Sequence, residues 1–129
     1  MNEFSEVFQR LCAALPHSNL SIRVDHANFE TVYIHRGDDG SFVVSDHNET
    51  WDYLEYGSDN YLLPSEVGPQ INEICARRGV ELADLNADEE DLPPKMTLLK
   101  QARTDQEVRQ AIEDVAACID RIFDCALKR

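Results

Sequence analysis

From Thr104 to Ala126 the apolar residues Val108, Ile112, Val115, Ile119, Ile122 and Ala126 recur in alternating steps of four and three. This spacing places all six on one stripe of a single long helix. Thr104 followed by Glu107 forms a capping box that marks its start. A stripe of this length must be covered, which admits two arrangements. The helix packs on the domain's own sheet or a neighbouring helix, or Val108, Ile112, Val115, Ile119 and Ile122 close a homodimer seam. Phe123 and Cys118 flank the stripe and widen it, which suits either arrangement.

Upstream, the pattern changes period. Leu20, Ile22 and Val24 alternate with Ser21 and Arg23, as in a strand with one wet face. Phe29 to Arg36 is rich in β-branched and aromatic residues and reads as a second strand. Gly37-Asp38-Asp39-Gly40 supplies turn residues, and a third strand runs from Ser41 to Ser45. Before these, Phe4, Val7, Phe8, Leu11 and Leu15 predict a helix from about Glu3 to Leu15. After them, Asp46 and Glu49 have the spacing of a capping-box variant, predicting a short helix with Trp51 and Leu54 inward that stops at Gly57. A further helix opens at Pro64 and ends at Arg77-Arg78-Gly79-Val80, with cations near its negative pole and glycine at the left-handed position. Val80 to Leu85 reads as a fourth strand. The segment NADEEDLPP, Asn86 to Pro94, is an exposed loop, and Lys95 to Arg103 is helical in composition.

These elements predict one α+β domain with a small, mainly antiparallel sheet of three or four strands, packed by helices and finished by a long C-terminal helix. Residues 1–94 form its core and residues 95–129 a helical segment packed on that core or in a dimer contact. The length, 129 residues, suits one domain with a genuine core. No apolar run reaches the roughly 20 residues of a membrane helix, and the acidic start is unlike a signal peptide, so a cytoplasmic protein without membrane contact is expected. Cys12, Cys75, Cys118 and Cys125 form no CxxC or CxxH pair and read as reduced core thiols. Cys118 and Cys125, seven apart on one helix, would hold their Cα atoms about 10 Å apart, beyond the roughly 7 Å reach of a disulfide.

No motif discloses a reaction. Asp25-His26 and Asp46-His47 repeat a dipeptide, but adjacent strand residues face opposite ways, so neither pair is a ready dyad. Asp25 and Asp46 read as turn and cap residues with exposed histidines, and no metal or cofactor is assigned. The enzyme alternative is a metal-dependent enzyme acting on nucleic acid, with Asp25, Glu30 and Asp46 holding a divalent ion. Such sites commonly add a lysine, and Lys95, Lys100 and Lys128 all fall outside the predicted strands. No serine or cysteine occupies a nucleophile elbow, and no phosphate-cradling glycine pattern occurs.

The acids carry more information. The formal net charge is -13, and Gly37 to Ala76 holds nine acidic residues without one lysine or arginine. The charge disfavours direct nucleic-acid binding, and none is expected, since such binding is driven by Lys and Arg neutralising phosphates. Glu49, Asp52 and Glu55 follow three-residue steps along the short helix, near the Asp38-Asp39 turn and followed by Asp59. Trp51, Tyr53 and Tyr56 lie among them. The pattern predicts a docking face for the basic surface of a partner protein, with carboxylates spaced like a phosphate row and aromatic rings as anchors.

The run YIHRGDDGSFVVSDHNETWDYLEYG, followed by INEICARRGVEL, resembles an uncharacterised domain family of bacteria and their phages. The matching features are the Gly37 to Gly40 turn, Ser45-Asp46, Glu49-Thr50 with Leu54, and Arg78 to Leu82, within about Leu20 to Leu85. The resemblance implies a prokaryotic or phage source and a mobile-element association, and it brings no catalytic residue.

Overall fold

A computed structural model describes residues 22–25, 30–36, 40–57 and 59–128. The helix expected over residues 3–15 and the turn residues 37–39, with Asp38 and Asp39, lie outside the described residues. Strands β1 (Ile22–Asp25), β2 (Thr31–Arg36) and β3 (Phe42–Ser45) lead into a short helix, α1 (Glu49–Asp52), which continues as a π-helical turn over Tyr53–Gly57. Helix α2 (Pro64–Arg77), strands β4 (Glu81–Asp84) and β5 (Met96–Ala102), and helix α3 (Asp105–Ala126) complete the order. The fold is α+β, with an antiparallel sheet and a long C-terminal helix.

The sheet has five strands in the order β1-β2-β3-β5-β4, every neighbouring pair antiparallel. The strand beyond the expected number is β5, in the segment read as helical. Met, Leu, Lys, Gln and Ala favour a helix locally. Here β3 and β4 flank the segment on both sides and its backbone groups complete two ladders, so tertiary pairing overrides propensity. Residues after the acidic loop therefore supply an inner strand as well as a helix.

Helix α3 lies across β2, β3 and β5 and packs against α2. Val108, Ile112, Val115, Ile119 and Ile122 are each at most 6% exposed within the single chain. The stripe is covered by Val32, Ile34, Val44 and Leu98 of the sheet and by Val67, Ile71 and Cys75 of α2. That corrects the dimer-seam alternative: the sheet claims these side chains because its apolar face must be buried as well, and no free stripe is left for a second copy.

Local signals of helix start and stop are realised. The Thr104 hydroxyl accepts from the Glu107 amide at 3.1 Å and opens α3. At the end of α2, Gly79 takes φ +65°, its amide donates to Ala76 and the Val80 amide donates to Cys75, a Schellman closure with Val80 buried. Cys75 and Cys118 are buried and free where α2 meets α3, and Cys125 is free and exposed. A hydrogen bond to Cys118, reinforced by burial, pushes the Cys75 thiol up. Among the described residues, no helix is long and apolar enough to cross a membrane.

Candidate functional site

The site is organised by the corner between β3 and α1. His47 and Asn48 both adopt left-handed backbone, φ 55° and 66°. Asparagine tolerates this region and histidine does so less readily, so the corner needs support. Asp46 provides it from a fully buried position. Its Oδ1 accepts from the Asn48 amide at 3.1 Å, the Thr97 hydroxyl at 3.0 Å and the Leu98 amide at 2.9 Å. Its Oδ2 accepts from the Thr50 amide at 3.1 Å. The Asn48 side chain adds a 2.7 Å bond to the Met96 carbonyl. The N-cap of α1 is Asn48, two residues later than the sequence indicated, while Asp46 satisfies the Thr50 amide of the first turn and bolts the corner to β5. The reciprocal Glu49 contact of a capping box is absent, because Glu49 is drawn elsewhere.

Glu49 accepts a hydrogen bond from the Tyr33 hydroxyl on β2. The Tyr33 ring lies flat on His47, centroids 3.7 Å apart and planes within 1°. His47 meets His35 through their Nε2 atoms. Burial, followed by the neighbouring His47, holds the His35 pKa below its ordinary value. This chain fixes Glu49 at the edge of an open cavity.

The cavity, about 510 Å³, is framed by Glu30, Asp46 and Glu49 on one side and by Ile119, Asp120 and Phe123 of α3 on the other, with Tyr53 and Tyr61 between. Tyr53, Tyr61 and Phe123 form an edge-to-face triad with centroids 5.3 to 5.9 Å apart. Tyr61 is held by its bridge to Leu127, by the Leu62 amide donating to Ala126 and by the Lys128 amide donating to Asn60. A second, shallower hollow of about 480 Å³ is bounded by Glu49, Asp52, Tyr53, Tyr56 and Gly57. Glu49 and Tyr53 belong to both, so the two depressions are contiguous.

The candidate residues separate into groups. Glu49, Asp52, Tyr53 and Tyr56 come together around these hollows, with Tyr53 46% and Tyr56 75% exposed. Asp59 is exposed and Glu55 half-buried, and neither borders them. The three-residue acid spacing assumed a continuous α-helix, and the π-helical turn from Tyr53 rotates Glu55 off that row. Trp51 is no free anchor: it packs against the core and its indole N–H donates to the Pro94 carbonyl at 3.1 Å. Glu30, Tyr61, Asp120 and Phe123 join the site from segments far apart in the chain. In the sequence, Glu30 stands out only as an ion-ligand candidate, Tyr61 only as an aromatic of the acidic stretch and Phe123 only as a flank of the helix stripe, and Asp120 carries no signal.

The Asp46 carboxylate already receives four protein donors, and no group of three or more His, Cys, Asp or Glu among the described residues is arranged to hold an ion. The supposition that no lysine belongs to the sheet is corrected, since Lys100 lies in β5. Its ammonium is engaged by Asp114 and the Arg78 carbonyl.

Set against protein-family models, curated proteins and solved structures, the chain matches none of them.

Proposed function

We propose that this chain is a non-catalytic acidic interaction protein that docks the basic surface of a partner protein, in the manner of a nucleic-acid mimic. The observation that carries the reading is the sharing of Glu49 and Tyr53 by two adjoining hollows. Exposed carboxylates and exposed tyrosines thereby meet on one face rather than scattering over the surface. Aromatic anchors bounded by charge supply area and electrostatic steering together. The net charge of -13 favours a cationic partner and disfavours nucleic acid itself. A phage or mobile-element setting, and action in the cytosol, belong to the same proposal, the first resting on the family resemblance of the strand-turn-strand segment.

The test is affinity capture from the source cell with the wild-type chain and with Glu49→Lys, Asp52→Lys and Asp120→Lys combined, the exposed carboxylates that border the hollows. The wild type is expected to retain a basic protein that the triple variant loses, in a salt-dependent manner. Retention of every partner by the triple variant would sink the docking reading.

A further inference from the structure

We infer that the hollow lined by Glu49, Tyr53, Tyr61, Asp120 and Phe123 is a receptor for one arginine side chain of the basic partner. The inference deepens the docking reading and rests on it. A space of about 510 Å³ falls within the ordinary range of ligand pockets and holds a side chain together with its flanking backbone. Its walls are of two kinds. Tyr53, Tyr61 and Phe123, locked edge to face, contribute aromatic ring surface to the lining. Glu49 and Asp120, both exposed, line the hollow from two different elements, α1 and α3. Buried Asp46 is spent on three backbone amides and the Thr97 hydroxyl and contributes only its charge.

A guanidinium satisfies both walls. Its planar, weakly hydrated face stacks on aromatic rings, and its edge offers paired donors to a carboxylate. An ammonium is a compact, strongly hydrated charge that uses the carboxylates but gains less from the rings. An apolar side chain uses the rings and leaves the carboxylates uncompensated. The pocket is also held in advance: Tyr33 and His47 fix Glu49, and the Leu62–Ala126 and Lys128–Asn60 bonds fix Tyr61. Preorganisation of this kind lowers the entropic cost of binding.

The test uses the full chain and three short blocked peptides, each with one central arginine, lysine or citrulline between glycines. Binding is followed by nuclear magnetic resonance of the tyrosine and phenylalanine rings. The arginine peptide is expected to shift the Tyr53, Tyr61 and Phe123 resonances and to bind about tenfold more tightly than the lysine peptide, with the citrulline peptide weaker still. Asp120→Asn, an exposed change that keeps the fold, is expected to weaken the arginine peptide about tenfold. Tyr61→Phe keeps the packing and should retain binding. Tyr61→Ala should lose it, its folded state checked by circular dichroism. Equal binding of arginine and citrulline, ring resonances that do not move, or indifference to Asp120→Asn would each overturn the arginine receptor. The docking reading is judged separately by whether the Glu49, Asp52 and Asp120 reversals release the captured partner.

Discussion

Lys100 Nζ stands 2.7 Å from Asp114 Oδ2, joining the sheet's inner strand β5 to the middle of α3. The same ammonium donates to the Arg78 carbonyl at 2.8 Å, where it meets the carbonyl end of α2. Asp114 is buried and also receives Arg78 at 3.3 Å and the Gln110 amide at 3.2 Å. Three elements are thus fastened at one carboxylate. An ion pair so placed matters mainly when it is broken, because removing one partner strands a desolvated charge.

Lys100→Met retains the aliphatic stem and deletes the ammonium. Because Asp114 keeps Arg78 and Gln110, the change is expected to lower unfolding free energy by about 1 to 3 kcal/mol. Adding Asp114→Asn should recover part of that loss, giving a coupling of roughly 1 to 3 kcal/mol in a double-mutant cycle. The exposed Arg77–Glu73 pair, 71% and 63% exposed, is the contrast. Its removal should change stability by less than about 0.5 kcal/mol. Urea denaturation of the four variants measures both.

Asp46 is the second node. Asp46→Ala leaves the amides of Asn48, Thr50 and Leu98 and the Thr97 hydroxyl without their acceptor in a buried corner. The expected loss is about 3 to 5 kcal/mol, a large share of a small domain's stability. Asp46→Asn keeps one oxygen and turns an amide toward some of the same donors, so it should lose about half as much. Hydrogen exchange should place the damage at α1 and its junction with β5. A loss below about 1 kcal/mol for Asp46→Ala would show that the corner holds without its carboxylate.

The Schellman closure at Gly79 and the cap at Thr104 were legible because each is written in adjacent residues. The seam of α3 was legible as a stripe, but what covers it was not, since periodicity is identical for a sheet and for a second helix. Lys95 to Arg103 misled because β5 is a strand through its neighbours on both sides rather than through its own preferences. The site was half-legible. Glu49, Asp52, Tyr53 and Tyr56 lie within one short run, whereas Tyr61, Asp120 and Phe123 reach it only through the bridge that ties Tyr61 to Leu127 at the end of α3. Trp51 has the composition of an anchor and the position of a strut.

His35 gives a pH dependence with a definite sign. Its folded-state pKa lies below the ordinary 6.5, through burial and then through His47. The unfolded chain therefore binds more protons just below pH 6.5 than the folded one, and stability falls as pH drops from about 6.5 toward the lowered value. Below that value both states are protonated and the term is exhausted. Stability curves across this interval should be steeper for the wild type than for His35→Gln. Identical slopes would remove His35 from the account. Because His47 stacks on Tyr33, which holds Glu49, the same protonation should loosen the wall of the cavity.

Gly57 bears on the site through what its side chain would displace. A Cβ built there falls 2.7 Å from Tyr53 Cδ2 and 2.9 Å from its Cγ, closer than real Cβ contacts allow. The tyrosine ring lies against the glycine because the π-helical turn brings residues four apart into register. In Gly57→Ala the ring must swing away, and with it goes its edge contact with Tyr61 and Phe123. Two effects oppose each other in stability. Crowding costs about 1 to 3 kcal/mol, and exchanging glycine for alanine in helical backbone returns up to about 1 kcal/mol. The net destabilisation is therefore expected to be modest, about 1 kcal/mol, while the change at the site is large. Ring resonances of Tyr61 and Phe123 should shift, and binding of a basic partner should weaken without loss of the fold. Tyr53→Ala combined with Gly57→Ala is the discriminating variant: with the ring gone, the added methyl should no longer destabilise. If it destabilises equally in both backgrounds, the glycine serves the turn itself, and Tyr53 is held on the rim by its aromatic neighbours alone.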